Sequence, residues 1–195
     1  MQTLNPSPSI VIVGGVHGAG KSTYCLDFLK THDWHYITQH AIRNQSLEML
    51  SERQLHKQTL FNIQQCLQQQ TPFIVEHTMA GRYISKLIAT ARQQHYHLHL
   101  VYLNVLTVEC AKQRIASRVK QGGHNITNNQ LTTKLNESRS QFWHQYAPLA
   151  DAWSLFDNTG DQRLLIAESN RAEITIHHPY FHDFIAYWTK QILPL

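Results

Sequence analysis

Eight residues, Gly15-Val16-His17-Gly18-Ala19-Gly20-Lys21-Ser22, follow the spacing G-x-x-x-x-G-K-[ST]. The chemistry of that spacing is phosphate binding. Gly15, Gly18 and Gly20 let backbone N–H groups turn inward around phosphate oxygens. Lys21 supplies a point charge for the β- and γ-phosphates, and the Ser22 hydroxyl suits Mg²⁺, with Thr23 directly behind it. A helix starting at the lysine directs the positive end of its dipole at the same anion. The flanking residues provide the elements that such a loop needs. Ile10-Val11-Ile12-Val13 is a short β-branched run, as in a buried parallel strand, and Tyr24, Leu26, Phe28 and Leu29 fit the helix that follows.

Further residues have types and places that suit the same chemistry. Glu76 closes the apolar run Phe73-Ile74-Val75, so a strand end presents a carboxylate. It serves Mg²⁺ through water, a substrate hydroxyl, or the cap of the next helix. Arg114 and Arg118 are four residues apart on a helical stretch, and so share a face. On a lid spanning about residues 114–134, with Gly122-Gly123-His124 as its turn, they meet the charge of a transferring phosphoryl group when the lid closes. The competing reading is an exposed basic helix. His95, His97 and His99 alternate and would share one face of a strand. A metal site needs further ligands, and no cysteine or carboxylate lies nearby in the sequence, so ordinary structural histidines are the better reading.

Composition bounds the class. The chain has 195 residues, 42% apolar, enough for one domain over residues 1–195. Its 17 basic and 13 acidic residues leave a net charge of +4, which suits a small anionic ligand. No basic run interleaved with aromatics reads as a nucleic-acid surface, and no stretch reads as a membrane span. The first residues lack the pattern of a signal peptide, and Cys25, Cys66 and Cys110 are few and scattered, so a cytoplasmic location is expected.

Strand and helix patterns alternate. Strands are expected near residues 9–13, 34–37, 73–76, 98–103 and 153–156, with shorter ones at 164–166 and 174–176. Helices are expected to residue 29, over 46–70, 82–94, 107–120 and 128–146, and from 180 to about 192. The order predicts an α/β fold with a mainly parallel five-stranded sheet and a C-terminal strand–helix extension. In such sheets the site lies beyond the carboxyl ends of the strands, so the glycine loop, the residues after Ile37 and those after Val75 surround one cleft.

Over roughly residues 9–168 the chain resembles the zeta-toxin family of P-loop kinases. The segments are GGVHGAGKST, FIVEHTMAGR, YLNVLTVECAKQRIASRVKQGGHNI and QFWHQYAPLADAWSLFDNTG. The second is similar to the family's E-T-T-L-S-G-R, the third to its R-V-x-x-G-G-H lid, and the last to its P-L-A-D-x-W-x-L-Y-D-N-S-G strand. The resemblance implies a P-loop NTPase/kinase-like three-layer sandwich with a helical lid, using ATP or GTP with Mg²⁺. It implies transfer to a hydroxyl of UDP-N-acetylglucosamine or a similar anionic metabolite, with an antitoxin protein among the partners.

By that resemblance Lys21 and Ser22 hold nucleotide and metal, Glu76 is the metal-side or substrate-side glutamate, and Arg118 is a lid arginine. Three positions depart from the family. His40 stands where the family has the aspartate that acts as base, Lys134 where it has a second arginine, and Lys57 where it has an arginine before the third strand. A neutral imidazole accepts a proton but has no negative charge. A lysine keeps charge but not the bidentate fork. Three readings follow for His40: it is the base, Glu76 does that work alone, or the chain binds nucleotide without transferring phosphate.

Overall fold

Alternating side chains along two central strands divide the core into two halves, and that division sets the architecture. The computed structural model describes residues 8–46, 49–80, 83–119 and 128–190. The described elements are β1 (Ser9–Gly14), α1 (Lys21–Leu29), β2 (His35–Ile37), α2 (Gln39–Gln45), α3 (Glu52–Gln69) and β3 (Phe73–His77). Next come α4 (Tyr83–Gln93), β4 (His97–Asn104), α5 (Val108–Val119) and α6 (Asn128–Gln141). The chain closes with β5 (Ala152–Asp157), β6 (Leu164–Ser169), β7 (Ile174–Ile176) and α7 (Tyr180–Lys190).

The strands form one sheet in the order β2-β3-β1-β4-β5-β6-β7. The first five are mutually parallel, as expected, and β6 and β7 add to the same sheet as antiparallel strands. Ile10 and Ile12 of β1 and Leu98, Leu100 and Tyr102 of β4 pack with α3, α4 and α7. Val11, Val13, Val101 and Leu103 face the other way, onto Cys25 of α1, Ala111 of α5, and Leu131 and Leu135 of α6. A strand buried on both faces must be apolar throughout, which is why these two read as continuous runs. The result is a three-layer sandwich. Phe142, fully buried, stacks on Tyr102 with ring centroids 4.6 Å apart, a burial that contributes about 1.5–3 kcal/mol.

Three expectations need correction. The helix expected over 46–70 starts only at Glu52, because Ser51 caps it: its Oγ accepts from the Gln54 amide while the Gln54 side chain accepts from the Ser51 amide. A separate helix, α2, occupies Gln39–Gln45 and ends where Ser46 takes an extended backbone. Its pattern is too short for hydrophobic periodicity to reveal. The three alternating histidines do not share a strand. His95 sits in a left-handed turn at φ 60°, ahead of β4. His97 is exposed, and the His99 ring lies 3.0 Å from Ser154 Oγ. The expected helix over 128–146 also leaves the α-helical form early, passing into a π turn at Phe142–Tyr146. No helix among the described residues is long and apolar enough to cross a membrane. The expected lid turn, Gly122-Gly123-His124, and Lys120 lie outside the described residues.

Candidate active site

The loop between β1 and α1 is held from both sides by its own chain. Lys21 Nζ folds back and donates to the carbonyls of Gly15 and Val16, each at 2.9 Å. Val16 and Ala19 bury their side chains in the core beneath, and the Ala19 amide donates to the Val16 carbonyl at 3.1 Å. From the end of β5, Asn158 Nδ2 donates to the Ala19 carbonyl at 2.8 Å. Gly20 is the N-cap of α1 at φ 89°, and a Cβ there would meet Asn158 Nδ2, so both backbone angle and space demand glycine. No side chain caps α1. The first-turn amides therefore face an anion site of the kind that helix N-termini make.

Glu76 joins this loop to the next strand end. Its Oε2 accepts a 3.0 Å hydrogen bond from Ser22 Oγ, and its Oε1 accepts one from the Tyr36 hydroxyl on β2. Burial, followed by the bond to Glu76, pushes the Tyr36 hydroxyl well above the usual phenol range, so it stays a donor. Burial, with Glu76 nearby, likewise pushes the Cys25 thiol up and keeps it protonated.

A cleft of about 650 Å³ opens beside these groups. His17, Gly18, Gly20, Lys21, Ser22 and Thr23 form its loop side. Glu76 and His77 come from β3, and Thr38, Gln39 and His40 from the start of α2. Arg114 of α5 and Lys134 of α6 complete its lining. Thus His40, Glu76, Arg114 and Lys134, scattered over 95 positions, meet the glycine loop in one cavity. Gly15, Val16 and Ala19 lie behind the surface and shape the loop without lining the cleft. The Arg118 side chain lies outside the described residues.

Two of these residues have further partners. Arg114 Nη2 donates to the carbonyls of Thr159 (3.1 Å) and Gly160 (2.9 Å), which ties α5 to the corner after β5. His40 is exposed on α2, with its Nδ1 3.4 Å from Asn44 Nδ2. A second cavity, of about 330 Å³, is lined by Thr23, Arg114, Asn158 and Arg163 and shares Gly20, Thr23 and Arg114 with the first. Arg163 stacks over the Tyr24 ring at 4.7 Å from its centroid.

Sequence reasoning had not singled out Tyr36, His77 or Asn158. Tyr36 precedes Ile37 on a three-residue strand, too short for alternation to show which side chains face the cleft. His77 follows Glu76 directly and reads as the next strand residue. Asn158 had a signal, the turn sequence Asp157-Asn158-Thr159-Gly160, but not its partner 139 positions earlier.

The sheet order, the glycine loop between β1 and α1, and the strand-end carboxylate define a P-loop kinase-like α/β protein. Residues 10–139 match the family described as AAA domain, and the chain belongs to that family. An uncharacterized protein of Haemophilus influenzae is 37% identical over 60 residues, which is 31% of this chain and 43% of that protein. The match therefore spans less than half of that relative. Among solved structures, the chain is similar to one in the PezAT toxin–antitoxin system of Streptococcus pneumoniae: TM-score 0.70 at 12% identity, over 96% of this chain and 87% of that one. It is also similar to a chain of the AvrRxo1-ORF1:AvrRxo1-ORF2 complex with sulphate ions: TM-score 0.69 at 13% identity, over 97% of this chain and 66% of that one. That complex has been solved with ATP as well. A chain of the Pnkp1/Rnl/Hen1 RNA repair complex gives TM-score 0.60 at 20% identity, over 73% of this chain and 47% of that one. At these identities the likeness is one of fold.

Proposed function

We propose that the protein is an ATP- or GTP-dependent small-molecule kinase, transferring the γ-phosphoryl group to a hydroxyl of a nucleotide sugar or similar anionic metabolite. The observation that carries this reading is the Ser22–Glu76 hydrogen bond. It sets a phosphate-binding loop and the cleft's one carboxylate, among the described residues, side by side. The resemblance of the sequence to zeta-toxin kinases and the ATP in one fold neighbour support it.

In this reading His17, Gly18 and Gly20 face the phosphates together with the first-turn amides of α1, Gly15, Val16 and Ala19 shape the loop, Lys21 neutralises the phosphates, and Thr23 flanks the loop. The Ser22 hydroxyl and the Glu76 carboxylate form an oxygen pair that fits Mg²⁺, which typically takes few protein oxygens and completes its shell with water and phosphate. Mg²⁺ would supply charge neutralisation at the phosphates there. Arg114, Arg118 and Lys134 stabilise charge on the transferring group. Phosphoryl transfer asks more for positioning than for strong base catalysis.

His40 and Glu76 face the acceptor. The exposed His40 ring lies at the acceptor end of the cleft, with Nδ1 3.4 Å from Asn44 Nδ2. In this reading Glu76, the cleft's one carboxylate among the described residues, takes the acceptor's proton, and His40 orients the acceptor. An antitoxin protein is a partner class consistent with the resemblance and with one fold neighbour coming from a toxin–antitoxin system. The positive cleft suits a compact anion, and no nucleic-acid or membrane partner is part of this reading.

One further reading has an observation behind it: a histidine, which lacks a carboxylate's negative charge, at the family's aspartate position favours a protein that binds nucleotide without transfer. His40→Asp separates the two. Wild-type turnover that survives in His40→Asp and falls in Glu76→Gln supports the kinase. Turnover absent from the wild type and present in His40→Asp supports the binding protein.

The reading is tested by Mg²⁺-dependent binding of ATP, followed by calorimetry in wild type and in Lys21→Ala. Binding lost in the variant supports the site, and binding unchanged without Lys21 sinks it.

A further inference from the structure

His77 stands where the resembling family segment has threonine, and the structure builds a turn around it. The Met79 amide donates to His77 Nδ1 at 2.8 Å. A nitrogen that accepts a hydrogen bond holds no proton, so the neutral ring carries its proton on Nε2. The turn that aims this amide is fixed in three ways. Met79 takes a left-handed backbone at φ 56°, which costs about 1–3 kcal/mol in a non-glycine residue and so requires compensation. Its fully buried side chain packs against Gly14, filling the space a Cβ would need. Between the two, the Thr78 carbonyl accepts from Ser138 Oγ at 2.5 Å, and Ser138 Oγ accepts from the buried Tyr102 hydroxyl at 3.0 Å.

The ring's neighbours complete a wall of the cleft. Tyr83 of α4 lies 5.8 Å from the His77 ring, and His56 of α3 lies 5.8 Å from Tyr83 on an edge-to-face approach. All three, with Thr59 of α3, line the cleft on the side away from the Asn158 corner. With Nδ1 occupied by the Met79 amide, the wall presents an N–H donor at Nε2, two hydroxyl-bearing residues and flat rings. Such a surface fits a hydroxyl-bearing ring with exposed oxygens better than it fits a second phosphate.

We propose that His77 Nε2–H, held in one tautomer by the Met79 amide, is the hydrogen-bond donor that positions a sugar-like acceptor ring beside His56 and Tyr83. The inference rests on the kinase reading for the identity of the cleft. It assigns His77 to acceptor recognition, and leaves nucleotide binding to the loop.

The test uses the full chain with a non-hydrolysable ATP analogue and Mg²⁺, and UDP-N-acetylglucosamine as the acceptor probe. Long-range ¹H–¹⁵N spectra, assigned with His77→Gln, are expected to show the Nε2–H tautomer. Wild type binds the probe, His77→Leu weakens it about tenfold, and His77→Gln, which keeps a donor near Nε2, restores most of the loss. Analogue affinity stays the same in all three. A proton on Nδ1, a wild type that binds the analogue but not the probe, or a His77→Leu variant with unchanged probe affinity overturns the proposal. So does an equal loss of analogue affinity in His77→Leu, which would mark a structural role. A wild type that does not bind the analogue overturns the kinase reading instead, and this inference with it.

Discussion

Ser22 and Glu76, 54 residues apart, share a hydrogen bond of 3.0 Å between Oγ and Oε2. It closes the distance between the loop that holds phosphate and the strand end that holds a carboxylate. Glu76→Gln keeps the shape and removes the charge, and its amide nitrogen faces a hydroxyl donor. Turnover is expected to fall about 10²–10⁴-fold, with nucleotide still bound. Steady-state kinetics beside a fluorescent-nucleotide titration check this. Turnover within a factor of a few of wild type would remove Glu76 from the chemistry.

Tyr36 acts through Glu76. Its hydroxyl donates to Oε1 from a neighbouring strand and fixes the carboxylate's rotation. Tyr36→Phe leaves the ring packing intact and frees that oxygen. The expected result is a fall of about tenfold in kcat with little change in the KM for ATP. A change in KM alone would place Tyr36 in nucleotide binding.

The loop clamp makes a separate prediction. Asn158→Ala removes the donor to the Ala19 carbonyl, and Arg114 still holds the corner through Thr159 and Gly160. Affinity for ATP is expected to drop about three- to tenfold, because the loop is less well ordered before binding. Calorimetry reads this directly. Unchanged affinity would mean that Lys21 and the buried Val16 and Ala19 hold the loop unaided.

His77 and His99 give a pH dependence of stability with a definite sign. Burial holds both imidazoles down at about 4, below the ordinary value of 6.5. Between those values the unfolded chain binds protons that the native chain does not, so stability falls as pH drops. Each histidine contributes a slope of up to about 1.4 kcal/mol per pH unit between those values, so its stabilisation is present in full above the unfolded value and exhausted below about 4. Urea unfolding at a series of pH values from neutral to acid checks this. His99→Gln should flatten the curve, and an unchanged slope would show that His99 is solvated in the native state.

Much of the fold was legible because its signals are local. The two-sided apolar runs of β1, β3 and β4 announce a buried parallel sheet, and the glycine loop between Val13 and Tyr24 gives the position of the site. What stayed hidden depends on distant partners. The break between α2 and α3 turns on the Ser51–Gln54 cap inside a stretch that otherwise reads as helical. Tyr36 and Asn158 gain their roles only when β2 meets β3 and when β5 reaches the loop. His77 is ordinary in sequence and unusual only through the Met79 turn beneath it.

The central claim is transfer of a phosphoryl group by this cleft. The most direct measurement incubates the protein with γ-labelled ATP, Mg²⁺ and a panel of nucleotide sugars, with Lys21→Ala alongside. The expected result is a labelled, water-soluble product from at least one acceptor with the wild type and none with the variant. Label that stays on ATP with every acceptor, although the wild type binds the nucleotide, contradicts it, as does labelled product from Lys21→Ala.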